Sequence, residues 1–250
     1  MFAQIHTETK TEKIKRMQWW TEARFGMFIH WGLYALPARH EWVMSNEKMS
    51  KKTYEKYAQY FDPDLYNPTE WAKLAKKAGM KYVVFTAKHH DGFCLYDSKY
   101  TDYKVTNTPY GKDVMRELVD AFRAEGIRIG LYYSLIDWHH PDFVVKDPIH
   151  PEKNNTKELA KDSDRNLKKF QKYLKNQLTE ILTNYGKIDV IWFDMGGGLS
   201  KSEIDKFVEI TKELQAEGYS EEEVRQGLEL AYHLKTHVKA KTDSVSDCCE

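Results

Sequence analysis

Residues 187–198 read Lys-Ile-Asp-Val-Ile-Trp-Phe-Asp-Met-Gly-Gly-Gly, an apolar, β-branched run of strand length that stops at a carboxylate and then at glycines. Continuous apolar character of this kind suits a strand covered on both faces, which in practice means a parallel sheet sheathed by helices. In a βα barrel the last polar side chain of such a strand enters the mouth where active sites form, and a Gly-rich turn leaves room for a ligand. Asp194 is therefore the first candidate for chemistry. Its bland alternative is a helix N-cap, a favoured place for Asp.

Three more runs end in the same way. Gly26 to His30 closes on a histidine. Tyr82 to Ala87 is followed by Lys88, His89 and His90, and Ile127 to Ser134 leads into Asp137, Trp138, His139 and His140. Between the runs lie helical segments. Asn67-Pro68-Thr69-Glu70 has an N-cap, a proline at the first helical position and an acid in the first turn. Asp113 to Glu125 carries Val114, Leu118 and Phe122 as one stripe, with Gly126 as its stop. A long amphipathic stretch from Lys157 to Tyr185, closed by Gly186, delivers the chain into the 187–198 run, and Thr11 to Phe25 reads as a short leading helix.

This alternation predicts an α/β fold with parallel strands and right-handed crossovers. Four strands are evident, with room for a fifth within residues 34–60, whereas a closed barrel of about 250 residues has eight. The expectation is an incomplete, open TIM-like βα barrel. After Asp194 no strand-like run recurs. Ser202 to Glu217 and the segment from Ser220 through His233 read as extra C-terminal helices, so residues 1–238 form one domain and 239–250 a disordered tail.

Composition narrows the partners. The 38 basic and 38 acidic residues cancel, which removes the electrostatic case for nucleic acid or an anionic membrane. Aromatic residues make up 14% of the chain, with 16 Tyr and 7 Trp, a stock suited to stacking on a sugar ring. Cys94, Cys248 and Cys249 form neither a disulfide framework nor a zinc pattern. No apolar run approaches the roughly 18 residues of a membrane span, and residues 1–16 lack a leader's apolar core, so a cytoplasmic location is expected.

Five blocks now carry a resemblance: Arg24 to Gly32, Glu41-Trp42, Ala87 to Phe93, Leu131 to Ser134 with Asp137-Trp138, and Ile191 to Asp194. In this order they resemble the catalytic domain of the alpha-L-fucosidases of glycoside hydrolase family 29, over about residues 15–198. The resemblance implies a retaining glycosidase with no cofactor or metal, whose nucleophile falls on Asp194. It places sugar-binding histidines on His30, His89 and His90, the Glu-Trp pair on Glu41 and Trp42, and a strand-three tyrosine on Tyr133. Trp138 joins them from the loop that follows. Glu41 is the internal candidate for the acid/base, with sugar binding as its other role.

Consecutive strand residues face opposite sides, so either one of His89 and His90 faces the ligand while the other packs behind, or a twist brings both in. Members of that family continue through more of the barrel, so an unpaired strand edge leads to an expected dimer or tetramer. A catalytically inactive fucose-binding or scaffold protein is the alternative from another class. A metal-dependent hydrolase using His30, His89, His139 and Asp194 is disfavoured, because the usual ligand spacings are absent.

Overall fold

A computed structural model describes residues 9–194. The turn at 196–198, the two C-terminal helices, the tail and the terminal cysteines lie outside the described residues. The centre is a four-stranded parallel sheet: β1 (Gly26–Ile29), β2 (Tyr82–Lys88), β3 (Arg128–Ser134) and β4 (Val190–Asp194), in spatial order β1-β2-β3-β4. Among the described residues β1 and β4 each pair with one neighbour, so the described strands do not close a barrel.

Helix α1 (Lys10–Ala23) precedes the first strand and is fixed by a capping box, in which the Thr9 hydroxyl accepts from the Glu12 N–H and the Glu12 carboxylate from the Thr9 N–H. It brings Trp20 onto the Tyr82 ring (4.6 Å) and Trp19 beneath the Arg128 guanidinium (4.3 Å), covering the end of the sheet opposite Asp194. The β1–β2 crossover contains α2 (Val43–Asn46), α3 (Lys51–Tyr54) and α4 (Pro68–Lys77). Residues 34–60 thus fold as short helical turns, and the fifth strand that this region had room for is not there.

Helices α4 and α5 (Val114–Ala124) start at Asn67 and Asp113, whose side chains accept from the N–H groups of Glu70 and Arg116. Gly79 and Gly126 leave them with left-handed φ values of 85° and 69°, the conformation glycine adopts most cheaply. The expected helix over 157–185 is instead two, α6 (Thr156–Leu159) and α7 (Leu167–Thr183). The break has a polar cause. Asp162 accepts from the backbone N–H groups of Val145 (2.8 Å) and Lys146 (2.9 Å), tying the intervening turn to the preceding loop, and Asn166 then caps a fresh helix.

The parallel register sorts the side chains. Val83, Phe85, Ile129, Leu131, Tyr133 and Ile191 lie on the helix side, buried among Ala72, Leu118, Phe122, Leu174 and Leu178. Each large aliphatic buried there contributes about 1.5–3 kcal/mol. The other face carries Phe28, Val84, Gly130, Tyr132 and Trp192 in register, and Phe28 meets Trp192 edge-on at 5.4 Å. Phe28 is 40% exposed on β1, which pairs with one neighbour among the described residues.

One irregularity decides what faces the mouth. Thr86 pairs with Tyr132, but Lys88 pairs with Tyr133, so Ala87 is an extra residue in β2. The slip sends Lys88 to the helix side and turns His89 toward the inner face.

Candidate active site

Asp194 ends β4 with its side chain 35% exposed at the mouth of the sheet. Its Oδ2 accepts a 2.7 Å hydrogen bond from the Tyr132 hydroxyl and lies 3.6 Å from His90 Nε2. His30, one residue past β1, has Nδ1 2.8 Å from the Tyr34 hydroxyl and its ring 4.9 Å from that of His89. The His89 and His90 rings are 4.1 Å apart, and His89 also lies nearly parallel to Tyr132. The slip in β2 brings His89 to the inner face, and His90, in the turn just past the strand's end, joins it in the cluster.

Trp42, the residue before α2, presents its indole edge-on to His90 at 5.4 Å. Trp138 is wholly buried behind His90, with ring centroids 5.4 Å apart, and its backbone N–H donates to the His90 carbonyl at 2.8 Å. Half-buried Glu41 lies close enough for its charge to act on both His30 and His90. Tyr133 does not join this group. Its hydroxyl donates to Gln177 of α7 on the helix side, and the neighbouring Tyr132 takes the position expected of it.

Burial sets the charges. It lowers His30, pushes His89 well below the ordinary imidazole value, and pulls His90 to about 4 even though Asp194 opposes the shift. At neutral pH these rings are uncharged and can both donate and accept. Tyr132 is raised well above the usual phenol value by burial and by Asp194, so it stays protonated and donates to that carboxylate.

Behind the histidines stands a group that the sequence reading missed. Lys88 Nζ is 3.1 Å from Asp137 Oδ2, both side chains are buried, and Nζ lies over the Tyr133 and Tyr173 rings at 4.5 and 5.2 Å. The Tyr173 hydroxyl donates to the same Oδ2, while Oδ1 accepts from the N–H groups of His139 and His140. Burial alone would raise Asp137, but Lys88 and the two histidines hold it below the usual carboxylate range. Gly92 sits against this group with φ +80°, and a Cβ there would stand 2.2 Å from Asp137 Oδ1. The residue before His89 is thus tied to the residue before Trp138, which binds the two loops of the site together.

Among the described residues no group of three or more His, Cys, Asp or Glu side chains is placed to hold a metal ion, and no helix is long and apolar enough to cross a membrane. One carboxylate, neutral imidazoles, a phenol and indole faces form a site for a polyhydroxylated ring, with the carboxylate at one edge of it.

A sequence profile of the Alpha-L-fucosidase family matches residues 3–246. The chain belongs to that family. Plasma alpha-L-fucosidase of Homo sapiens is 30% identical over 200 residues, covering 72% of this chain and 39% of its own length. Among solved structures, alpha-L-fucosidase isoenzyme 1 from Paenibacillus thiaminolyticus is 52% identical with a TM-score of 0.76, covering 81% of this chain and 48% of that one. A family 29 alpha-L-fucosidase from Bacteroides thetaiotaomicron, solved as a trapped covalent intermediate with 2-fluoro-fucosyl fluoride, is 35% identical with a TM-score of 0.70, covering 81% of this chain and 46% of that one. This chain therefore spans about two fifths of the human family member's length. The α/β architecture matches the catalytic domain of these family members, with the barrel unclosed over the described strands.

Proposed function

We propose that the chain hydrolyses alpha-L-fucosides with retention of configuration, through a covalent fucosyl ester on Asp194. The observation that carries this is the Asp194 carboxylate at the mouth of the sheet, 2.7 Å from the Tyr132 hydroxyl and beside the histidine cluster. Tyr132 orients Oδ2, and His30, His89 and Trp42 bind and orient the sugar's hydroxyls and its apolar face. Asp194 attacks the anomeric carbon as the glycosidic bond breaks. The leaving oxygen takes a proton from a carboxyl, and water then cleaves the ester with that carboxylate as base. The covalent intermediate trapped in the Bacteroides family member supports the same course here.

Glu41 is the proposed proton donor, supported by its charge reaching His30 and His90 at the same mouth. General-acid help is worth about 10² to 10⁴-fold, and it matters most for poor leaving groups. Glu41→Gln is therefore expected to cut hydrolysis of a fucosyl disaccharide by about that factor and to spare para-nitrophenyl alpha-L-fucoside. Equal rates for variant and wild type on the disaccharide would remove Glu41 from the role. A second reading, fucose binding without turnover, is favoured by a sheet that, over the described residues, has four strands with β1 and β4 each paired on one side. Fucose binding by a wild type that never releases nitrophenol would establish it.

We also propose that copies of the chain associate over the open wall. Exposed Phe28 beside half-buried Trp192, with β1 and β4 each paired on one side among the described residues, supports this. Sedimentation is expected to give a dimer or tetramer of the 29.5 kDa chain, and a well-behaved monomer would overturn it.

A further inference from the structure

The hydroxyl of Ser134, the last residue of β3, is buried and sits at the centre of three contacts. It is 2.8 Å from the Ile136 carbonyl, 3.0 Å from the Ile136 N–H nitrogen and 2.7 Å from His90 Nδ1. A hydroxyl has one proton. The Ile136 carbonyl can only accept, so that proton lies on the line to Ile136 O. The Ile136 N–H can only donate, so it fills one lone pair of Oγ. What remains at Oγ is a second lone pair facing His90, and a 2.7 Å contact there is favourable only if Nδ1 carries a proton. Burial keeps the ring uncharged at neutral pH, so a proton on Nδ1 leaves Nε2 bare.

That bare Nε2 is buried, has no hydrogen-bond partner among the described residues, and lies 3.6 Å from Asp194 Oδ2, a distance too long for a hydrogen bond. Two acceptors therefore face each other across the floor of the site. The Nε2 lone pair is satisfied by a ligand O–H that enters beside Asp194 and donates its one proton to Nε2. The opposite tautomer would be harmful. With its proton on Nε2, His90 would offer that hydroxyl no lone pair and would point an N–H dipole at Asp194 from 3.6 Å, drawing electron density from the nucleophile.

We propose that Ser134 is a positioning residue that selects the His90 tautomer, keeping the Nε2 lone pair free for a hydroxyl of the sugar and the Asp194 carboxylate free of a donor from His90. The inference deepens the fucosidase reading and rests on it for the identity of the ligand, while the proton on Nδ1 stands on the three contacts alone. It also assigns the chemistry at that spot: the sugar group must be a hydrogen-bond donor, so an O-methyl or keto group there is rejected. A site that satisfies its buried polar atoms only with the right partner discriminates strongly against analogues lacking it.

Histidine nitrogen NMR of the isotope-labelled full chain at neutral pH tests this without ligand, with His90→Gln identifying the His90 resonances by their loss. The wild type is expected to show a protonated Nδ1 and a bare Nε2. Ser134→Ala is expected to move the proton to Nε2 and to lower kcat/KM on para-nitrophenyl alpha-L-fucoside about tenfold, the scale of one hydrogen bond to a buried group. Part of that loss should appear in kcat, because an N–H dipole then points at the nucleophile. Ser134→Thr, which keeps the hydroxyl, should restore tautomer and rate together. A wild type with its proton already on Nε2, or a Ser134→Ala spectrum identical to the wild type, would overturn the assignment. Because the spectrum is read without turnover, a wild type that shows the expected tautomer but never hydrolyses the fucoside overturns the proposed activity alone.

Discussion

Asp194→Gly is expected to lower turnover of para-nitrophenyl alpha-L-fucoside by on the order of 10⁴-fold, the scale on which removal of one member of a concerted catalytic unit acts. The side chain lies at the mouth, with 35% of its surface in solvent, so the deletion should leave the fold nearly intact. The cavity created also gives the decisive control. Azide can occupy the space of the lost carboxylate and attack the anomeric carbon from that side in one displacement. Activity should return with azide concentration, and the product should be a fucosyl azide of inverted configuration. An Asp194→Gly variant as fast as the wild type would rule out the covalent mechanism, whatever the state of the histidines.

Lys88→Met carries the second large effect, and it reads out in stability. Both members of the Lys88–Asp137 pair are wholly buried, and removing the ammonium leaves a carboxylate with two backbone N–H groups and one phenol as its remaining partners. Breaking a buried pair from one side costs about 3–5 kcal/mol. For a domain of this size that is a fall in Tm on the order of 10 °C. Asp137→Asn keeps an oxygen for the His139 and His140 N–H groups, so adding it to Lys88→Met should restore part of the loss, and the two changes together should cost less than their sum. Calorimetric melts of the single and double variants measure this. If Lys88→Met melts with the wild type, the pair contributes nothing and another contact holds the two loops together.

The strands and the helix starts were legible in the sequence because each rests on a local signal: β-branched runs for Tyr82 to Ala87 and Val190 to Asp194, and side-chain caps at Asn67 and Asp113. Features that depend on a neighbouring strand were less so. Tyr132 and Tyr133 differ in sequence by one position and in space by a whole face of the sheet. A clue existed, since Ile129 and Leu131 must share the helix side and Tyr133 continues their alternation, leaving Tyr132 with Gly130 on the inner side. The resemblance to known blocks pointed to Tyr133, one position past the tyrosine that bonds Asp194. Lys88 was hidden for a different reason. A lysine at a strand end looks solvated, and only its approach to Asp137, 49 positions later in the chain, identifies it as buried and paired. The break between α6 and α7 was equally non-local, because it depends on Asp162 bonding backbone from another loop.

The extra residue at Ala87 works as a frame shift written in three dimensions. Removing that single alanine would keep every catalytic letter in the sequence and exchange what they address. The ammonium of Lys88 would be carried into the cavity meant for a neutral sugar, and an imidazole would be carried out among aliphatic side chains. Chains of this kind can therefore lose their chemistry to a one-residue deletion that spares all the recognisable motifs, and a census of motifs alone would count such a chain as whole.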